Sequence, residues 1–246
     1  MAGDAATLRA QPPHWPLVFM LTFISAATGL GCAAALLHPR LTESASNYVT
    51  FSSWLFGAVG LGASVFHLGQ PLRAWRIFLG WRRSWLSREA IVFGAWFGLA
   101  TAALFERALL IPGAVVGLAG LGCSAMVYID THRHFWRASQ TVPRFFGTAA
   151  LLGGALFAPL PAAALLTVKL AWEWRTVYDR GVSANLQRGP LSPAAFARDG
   201  FGVLALVLLV VAPSWAALLP LFAGELAERY LFFRAVDAPR MPGVAA

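Results

Sequence analysis

Residues 16–37 read PLVFMLTFISAATGLGCAAALL, a run without a charged side chain. A helix needs about 20 mostly apolar residues, each rising about 1.5 Å, to cross a hydrocarbon core of about 30 Å. The run therefore predicts a membrane-spanning helix. It is too long for the apolar region of a secretory signal and lacks a plausible cleavage site, so we expect the mature protein to retain it.

The composition of the whole chain indicates the same class of protein. Of 246 residues, 58% are hydrophobic and only 12% are charged, whereas soluble domains carry about 25% charged residues. The net charge of +8 comes from arginines in short loops between apolar runs, a pattern that argues against nucleic-acid binding. Cys32 and Cys123 lie inside apolar runs, so we expect packing roles rather than a disulfide or a metal site.

The number of apolar runs predicts an all-α integral membrane protein, an eight-transmembrane-helix bundle that forms one domain over residues 1–246. Four runs are separate before residue 135, whereas 145–174 and 201–233 are each too long for one span. Prolines mark where these two runs would turn. They are Pro159, Pro161, Pro213 and Pro220. The predicted spans are 16–37, 49–68, 89–110, 111–130, 144–158, 161–178, 199–213 and 216–235.

The distribution of basic residues supports this count and orients the chain. With eight spans and both termini on one face, that face holds 17 of the 19 lysines and arginines, and the other holds Arg40 and Arg107. Cytoplasmic loops of membrane proteins are enriched in lysine and arginine. The sequence therefore predicts a multi-pass protein of a bacterial inner membrane with both termini in the cytoplasm.

Several kinds of cofactor site are not expected in this chain. A b-type haem needs two imidazoles facing each other within the helices, but only His67 of the five histidines belongs to a predicted span. The sequence has no CxxC, no HExxH and no Gly-rich phosphate loop. We therefore expect no haem and no metal here, and any redox chemistry would depend on a partner's metals or on a diffusible organic carrier.

The loop after the second predicted span has the most informative sequence, GASVFHLGQPLRAWRIFLGWRRSWLSREA over residues 62–90. Between Leu72 and Trp85, aromatic residues recur at three- and four-residue spacing with arginines among them. This pattern predicts an amphipathic helix that lies in the membrane interface between spans two and three. The aromatic residues are Trp75, Phe78, Trp81 and Trp85.

Two ionisable residues bracket this segment, His67 at the end of span two and Glu89 at the start of span three. Both ends lie on the same side of the membrane, so the two side chains could share a pocket under the tryptophans. Oxidising a quinol releases protons, and imidazole titrates near neutral pH. His67 would contact a quinol hydroxyl, and Glu89 would relay the proton or orient the imidazole. The alternative is that each group only interacts with a helix dipole.

The runs HLGQPLRAW, residues 67–75, and SWLSRE, residues 84–89, resemble the signature of the membrane-anchor subunits of dimethyl sulfoxide reductase and its relatives. GELAERYLFF, residues 224–233, is similar to the ending of the last span in that family. The eight spans, the lack of haem ligands and the overall size agree with the resemblance over essentially the whole chain. This chain is shorter than many relatives, which leaves the partner and the quinone open.

The resemblance implies a haem-free anchor that exchanges electrons between menaquinone or ubiquinone and a four-cluster iron–sulfur subunit, which serves a molybdopterin catalytic subunit. In the family, the histidine and the glutamate of these motifs are implicated at the quinol site, so His67 and Glu89 are the catalytic residues implied here. The residues predicted to bind the quinone are Ser64, His67, Arg73, Trp75, Trp85, Arg88 and Glu89. The substrate of the catalytic partner and the direction of electron flow stay open.

Charged residues also occur in later spans. Glu225 and Arg229 are four residues apart in the last span and so share a helix face, which predicts a structural ion pair, with a proton relay as the alternative. Lys169 and Glu173 have the same spacing in span six, and we expect a packed pair there too. Arginines on the basic face would bind carboxylates of the iron–sulfur subunit, or would only lie near anionic lipid. These are Arg82, Arg83, Arg133, Arg137, Arg180 and Arg188.

Two other functions fit parts of the sequence. A structural anchor without a quinone site would only hold soluble subunits at the bilayer. A small-solute transporter would normally have broken helices at matching places in two halves, whereas the proline breaks here lie in the second half alone. Replacing His67 by alanine separates the first alternative from a quinone site, because only a quinone site would lose turnover while membrane attachment is kept.

Overall fold

The computed structural model describes residues 10–66 and 71–236, and the side chains of residues 71–74 and 78 are not described. Within those ranges every regular element is helical, which confirms the predicted all-α class. The α-helices are α1 (Trp15–Leu37), α2 (Glu43–Val65), α3 (Trp85–Ala102), α4 (Leu110–Ile129), α5 (Ala138–Gly154), α6 (Pro159–Tyr178), α7 (Val182–Arg188), α8 (Ser192–Val211) and α9 (Leu218–Arg234).

Four stretches of the described chain are long and apolar enough to cross a membrane. They are Trp15–Arg40, Glu43–Val65, Arg107–Ile129 and Ser192–Val211. The other four long helices, α3, α5, α6 and α9, have 17 to 20 residues, and all of them contain charged side chains. The chain is therefore a helical membrane protein, and the count of eight spans stays a prediction.

Proline sets the breaks in the second half of the chain. Pro159 is the first residue of α6 and follows the short turn that leaves α5. Pro213 lies between α8 and the 3₁₀ helix Ser214–Ala217, which leads into α9. Breaks are therefore present in both long apolar runs, as predicted, although Pro220 lies inside the first turn of α9 rather than between helices.

The predicted boundary between spans three and four is wrong by several residues. The prediction places it after residue 110, but α3 ends at Ala102. Glu106 caps the 3₁₀ helix that follows, because its carboxylate accepts a hydrogen bond from the backbone N of Ala108 at 3.1 Å. Arg107 pairs with Glu43 on the surface at 2.8 Å. These two interactions fix the turn before residue 110.

The connection between α2 and α3 differs from the predicted amphipathic helix. It contains a 3₁₀ helix, Pro71–Gly80, followed by a turn, and Trp85 already belongs to α3. Trp75 and Trp81 are both more than half exposed. The single helix predicted from Leu72 to Trp85 is therefore divided into a 3₁₀ helix, a turn and the start of α3, and the position of this segment in the membrane interface stays a prediction.

Helix α1 lies at the centre of the first half of the bundle and packs against α2, α4, α5 and α9. It approaches α5 so closely that a Cβ atom on Gly29 would lie 2.0 Å from the carbonyl oxygen of Ala149. Gly153 meets the backbone of Gly29 in the same way. Small residues allow the two backbones to approach this closely. Close van der Waals packing stabilises helix contacts in a membrane, because burying apolar side chains from lipid gives no hydrophobic gain.

Long helices that follow one another along the chain run in opposite directions, so their ends meet in two groups. Gly60 of α2 contacts Ile24 of α1, and Glu173 of α6 contacts Arg198 of α8. The starts of α1, α3, α5 and α8 therefore lie at one end of the bundle with the ends of α2, α4, α6 and α9. We call this the basic end, because it includes the arginine-rich connections.

Candidate functional site

At the basic end, Ser84 caps α3 and fixes where the helix begins. The Ser84 Oγ accepts a hydrogen bond from the backbone N of Ser87 at 3.4 Å. The helix therefore starts at Trp85, four residues before the predicted start of span three at Glu89. Glu89 lies in the second turn, beyond the free N–H groups of the first turn, which weakens the helix-dipole explanation for a carboxylate here.

Glu89 is buried where α3 packs against α4. It is 6% exposed, and its carboxylate accepts a hydrogen bond from the Ser124 hydroxyl of α4. Across the described ranges, no lysine, arginine or histidine nitrogen lies within 4.0 Å of it. Keeping a buried carboxylate charged without a cation is costly. The group is therefore suited to taking up and releasing a proton.

Arg88 and Trp85 order the turn that precedes Glu89. The Arg88 guanidinium lies 4.2 Å from the centroid of the Trp85 ring. It also donates hydrogen bonds to the carbonyl oxygens of Trp81 and Arg82, both at 2.9 Å. Cation–π contacts and charge-assisted hydrogen bonds both restrict a long side chain. The structure thus gives both residues a positioning role, and their predicted contact with a quinone stays a prediction.

The other predicted site residues are less well defined. Ser64 lies in the last turn of α2, where its hydroxyl donates to the Leu61 carbonyl oxygen at 2.6 Å. Trp75 is 58% exposed in the 3₁₀ helix. His67 lies outside the described residues, and so does the side chain of Arg73. The structure therefore brings Trp85 and Arg88 into contact and places the Glu89 carboxylate against Ser124 of α4, while the proximity of His67 and Glu89 stays a prediction.

An apolar groove runs between α1 and α2 at the basic end. It has a volume of about 430 Å³, and aromatic and aliphatic side chains form its walls. These include Trp15, Phe19, Phe23, Val59 and Phe66. The groove reaches Phe66, which directly precedes His67 in the sequence. Cavities of roughly 300–1,000 Å³ hold small organic ligands, so the groove has the size and polarity for a lipophilic molecule.

Charged side chains from four helices meet inside the second half of the bundle, and we call them the buried charged cluster. Each is at most 8% exposed. Ionisable groups inside a membrane protein are expensive unless they are paired. The cluster consists of Arg144 from α5, Lys169 and Glu173 from α6, Arg198 from α8, and Glu225, Glu228 and Arg229 from α9.

Glu225 is the central acceptor of the buried charged cluster. Lys169 donates to one of its carboxylate oxygens, and Arg198 Nη2 lies 3.0 Å from the other. Glu173 binds the same two cations, with Arg198 Nε at 2.8 Å and Lys169 Nζ at 3.5 Å. The predicted pair of Lys169 and Glu173 is therefore confirmed, but it belongs to a network that links three helices.

The predicted ion pair between Glu225 and Arg229 is wrong. Within the residues that the structure covers, the carboxylate faces the two cations of α6 and α8 instead. Arg229 lies one turn nearer the basic end, with its guanidinium 4.2 Å from the centroid of the Phe145 ring. Its Nη2 donates to the carbonyl oxygen of Arg144 at 3.4 Å. Cations on neighbouring helices approach Glu225 directly, whereas Arg229 on the same helix is held by the aromatic ring.

Sequence reasoning missed Ser124, Arg144, Arg198 and Glu228 as parts of buried sites. Arg144 and Glu228 form an ion pair at 2.8 Å between α5 and α9. The sequence-based count of 17 basic residues on the cytoplasmic face includes four cations that are buried in the structure. Without those four, thirteen basic residues remain on that face and two on the opposite face. The only sequence signal for Ser124 is a hydroxyl within an apolar run, and spacing along one helix does not identify its partner on another.

The fold and the site define a helical membrane protein with a buried charged cluster and with a buried carboxyl group that has no cation beside it among the described residues. Residues 10–177 match the family described as DMSO reductase anchor subunit (DmsC). This match covers more than half of the chain, so the chain belongs to that family. The matched residues include α1 to α5 and all but the last residue of α6, and therefore Glu89 and Ser124.

A named relative supports the assignment. The chain is 31% identical over 180 residues to a sulfite dehydrogenase subunit from Allochromatium vinosum. The alignment covers 61% of this chain and 55% of the relative. The chain thus spans about half the length of the curated relative that it matches.

Proposed function

We propose that this chain is the membrane anchor of a molybdopterin and iron–sulfur oxidoreductase complex and exchanges electrons between the quinone pool and the iron–sulfur subunit. The observation that carries the proposal is Glu89, a buried carboxyl group whose partner in the described structure is a hydroxyl and not a cation. Membership of the anchor family supports the anchoring role. The substrate of the catalytic subunit and the direction of electron flow are not part of the proposal.

The residues present fit menaquinone or ubiquinone. The groove between α1 and α2 is lined by apolar side chains, which suit an isoprenoid tail, and its volume of about 430 Å³ is in the range of small-ligand sites. It leads toward the connection that contains His67 and, at the same end of the bundle, Glu89. When bound, a quinone supplies two-electron, two-proton chemistry, which these side chains cannot supply themselves.

The role of each residue follows from its position. Glu89 exchanges a proton with the bound carrier, and Ser124 holds the carboxyl group in place by donating to it. Trp85 and Arg88 keep the preceding turn ordered. His67 is proposed as the second proton-exchanging group, because imidazole is the side chain that changes charge near neutral pH without help from its surroundings.

We also propose eight spans, with both termini in the cytoplasm of a bacterial inner membrane. Four stretches meet the length and hydropathy requirement. In α5, α6, α8 and α9, ion pairs between helices lower the cost of placing charges within the bundle. The basic end carries most of the exposed arginines, and the positive-inside rule places that end in the cytoplasm.

The basic end is the proposed docking surface for the iron–sulfur subunit. Of the six candidate arginines, five are exposed and Arg133 is half-buried. A cavity of about 490 Å³ opens among them, lined by His134, Arg137, Asp179 and Arg180 together with smaller side chains. Arginine binds carboxylates through two parallel hydrogen bonds, so the complementary surface of the partner would be acidic.

The decisive experiment replaces Glu89 by glutamine, which keeps the size of the side chain and removes its exchangeable carboxyl proton. We expect the complex to stay on the membrane while quinone-linked turnover falls about 100-fold, the usual contribution of a positioned acid–base group. His67→Ala is expected to behave in the same way. Turnover is measured with a quinol analogue and the catalytic subunit of the intact complex, and attachment is measured by membrane fractionation.

Glu106→Gln is the matched control, because Glu106 is an exposed carboxylate at the opposite end of the bundle. Its turnover should equal that of the wild type. Wild-type turnover in Glu89→Gln would exclude a quinone role for this carboxyl group and favour a purely structural anchor. Release of the catalytic subunit from the membrane in that variant would contradict the proposal as well, since it would mean that Glu89 supports docking.

A further inference from the structure

A cleft between α5 and α6 opens sideways from the bundle and reaches the buried charged cluster. Its volume is about 580 Å³. Its walls are mainly apolar and include Pro143, Phe146, Leu165 and Val168. Val168 is 66% exposed, which places the mouth of the cleft on the surface that faces lipid. Arg144 and Lys169 lie at the inner side of the cleft together with Glu173.

The length of the cleft matches one leaflet of a bilayer. It extends along α5 from Ser139, in the first turn, to Ala150. Eleven residues of helix rise about 16 Å, and half of a hydrocarbon core of about 30 Å is roughly 15 Å. A molecule in the cleft would therefore have a polar end at the basic end of the bundle and an apolar part that reaches toward the middle of the membrane.

The charge around the cleft favours an anion. Three cations and three carboxylates of the buried charged cluster form ion pairs with each other. Arg229 is the fourth cation, and in the described chain no carboxylate lies within 4.0 Å of its guanidinium. It donates to the backbone of Arg144, which lines the cleft. A surplus positive charge in a low-dielectric interior is stabilised by a nearby counter-charge.

Two features at the polar end of the cleft point to the same kind of ligand. Helix α5 begins beside Ser139 without a side-chain cap, so its positive N-terminal end is available to an anion. Arg144 is 3% exposed, and its Nε has no hydrogen-bond partner among the described residues. The helix end alone would not define a site, but Arg144, which lines the same cleft, supplies an independent observation: its Nη1 pairs with Glu228, while its buried Nε has no partner among the described residues.

We propose that the α5–α6 cleft binds one anionic phospholipid, with its phosphate near Ser139 and the start of α5 and one acyl chain along Phe146, Leu165 and Val168. Basic pockets between helices on the cytoplasmic side of a membrane bind anionic headgroups. The phosphate of the bound lipid compensates the surplus positive charge of the buried charged cluster. Its acyl chain fills the apolar part of the cleft. It is separate from Glu89, and it does not depend on the proposed quinone function.

The test compares lipid retention by the full-length chain and its variants. The purified chain is washed in detergent, exposed to vesicles of either phosphatidylglycerol or phosphatidylcholine, washed again and analysed by native mass spectrometry. We expect about one phosphatidylglycerol per chain and about tenfold less phosphatidylcholine, because only the first lipid carries a net negative charge. In Val168→Trp the indole fills the cleft, and retention of phosphatidylglycerol should fall about tenfold.

Val207→Trp is the control, because Val207 is 48% exposed on α8 and does not line the cleft. It should retain the lipid as the wild type does. Equal retention in Val168→Trp would overturn the proposal, and so would equal retention of the two lipids. Recovery of a quinone in place of phospholipid would also overturn it and would assign the cleft to a different ligand.

Discussion

At the scale of single residues, two buried glutamates in this bundle have opposite surroundings. Glu225 is held by a lysine and an arginine from neighbouring helices. Glu89 accepts a hydrogen bond from the Ser124 hydroxyl, with no cation within 4.0 Å in the residues covered by the structure. A carboxylate fixed by two cations stays charged, whereas one held by a neutral hydroxyl can change its protonation state at lower cost. This contrast separates the candidate proton-exchanging group from the structural one.

Ser124→Ala tests the positioning of Glu89. Removing the hydroxyl should cost about 1 kcal/mol of stability, as for a single hydrogen bond. We expect quinone-linked turnover to fall about tenfold, because the carboxyl group is no longer oriented. Thermal unfolding in detergent and quinol-analogue kinetics measure the two effects.

Ser53→Ala is the control for that experiment. The Ser53 hydroxyl is also buried and donates to the carbonyl oxygen of Ala27 at 2.7 Å, between α2 and α1. A similar loss of stability with unchanged turnover is expected there. If both variants lose turnover equally, Ser124 has no special relation to Glu89 and only helix packing matters.

Lys169→Met tests the buried charged cluster. The methionine leaves Glu225 with one cation instead of two, and breaking a buried pair in this way costs about 3–5 kcal/mol. The variant should therefore unfold at a clearly lower temperature than the wild type. Adding Glu225→Gln to the same chain should restore a large part of the loss, since removing both charges of a buried pair is often close to neutral.

The exposed pair of Arg107 and Glu43 is the comparison for that measurement. Their nitrogen and oxygen lie 2.8 Å apart, but their side chains are 41% and 78% exposed. Solvent screening limits such a pair to about 1 kcal/mol or less, so Arg107→Ala should change stability little. If Arg107→Ala and Lys169→Met lowered the stability equally, the buried charged cluster would stabilise the fold no more than an exposed ion pair does.

At the scale of helices, the sequence predicts the elements well and their contacts poorly. Hydropathy locates the long helices, and proline marks the breaks before α6 and α9, because both signals are local. The turn at Glu106 is missed, since its side chain caps a 3₁₀ helix inside a run that composition alone would continue as one helix. The partners of Glu225 are missed because four-residue spacing identifies neighbours on one helix, and the stronger cations come from other helices.

Gly29→Leu tests the contact between α1 and α5. A Cβ atom at this position would lie 2.0 Å from the Ala149 carbonyl oxygen, which is backbone and cannot rotate away. The two helices must separate, and we expect a loss of at least about 3 kcal/mol or a failure to fold. Stability is measured by thermal unfolding, and folding is measured by the yield of monodisperse protein.

Gly98→Leu on α3 is the matched control, because nothing lies within 4 Å of the Cβ atom that it would add. This variant should be as stable as the wild type or slightly more so, since leucine favours helix over glycine. A stable, monodisperse Gly29→Leu protein would show that α1 and α5 do not approach each other as the structure has them.

At the scale of the whole molecule, α5 joins the two halves of the bundle. It packs against α1 and α4 on one side and against α6 and α9 on the other. The proposed quinone site lies in the first half and the buried charged cluster in the second. The residues that match the anchor family extend to residue 177. They include all residues of the proposed quinone site, but only Arg144, Lys169 and Glu173 of the buried charged cluster.

Cysteine labelling tests the proposed topology in a chain whose two native cysteines are replaced by alanine. Leu160 lies in the first turn of α6 and is 65% exposed, and Val182 lies in α7 at the basic end and is 40% exposed. With the basic end in the cytoplasm, a membrane-impermeant thiol reagent should label Leu160→Cys in intact spheroplasts. It should label Val182→Cys only after lysis, and the reverse pattern would show that the orientation is wrong.

The distribution of ion-pair partners along the chain has a consequence for biosynthesis. A nascent chain that has been translated only to Tyr178 contains Arg144, Lys169 and Glu173, but it lacks Arg198 and the three residues that α9 contributes to the buried charged cluster. Lys169 and Glu173 can pair with each other within α6. Arg144 has to wait for Glu228, and Lys169 and Glu173 gain Glu225 and Arg198 only when the last two long helices have been made. The ion pairs between helices of the second half therefore form only late in synthesis, and a prematurely terminated product would expose unmatched charges to the proteases that remove misassembled membrane proteins.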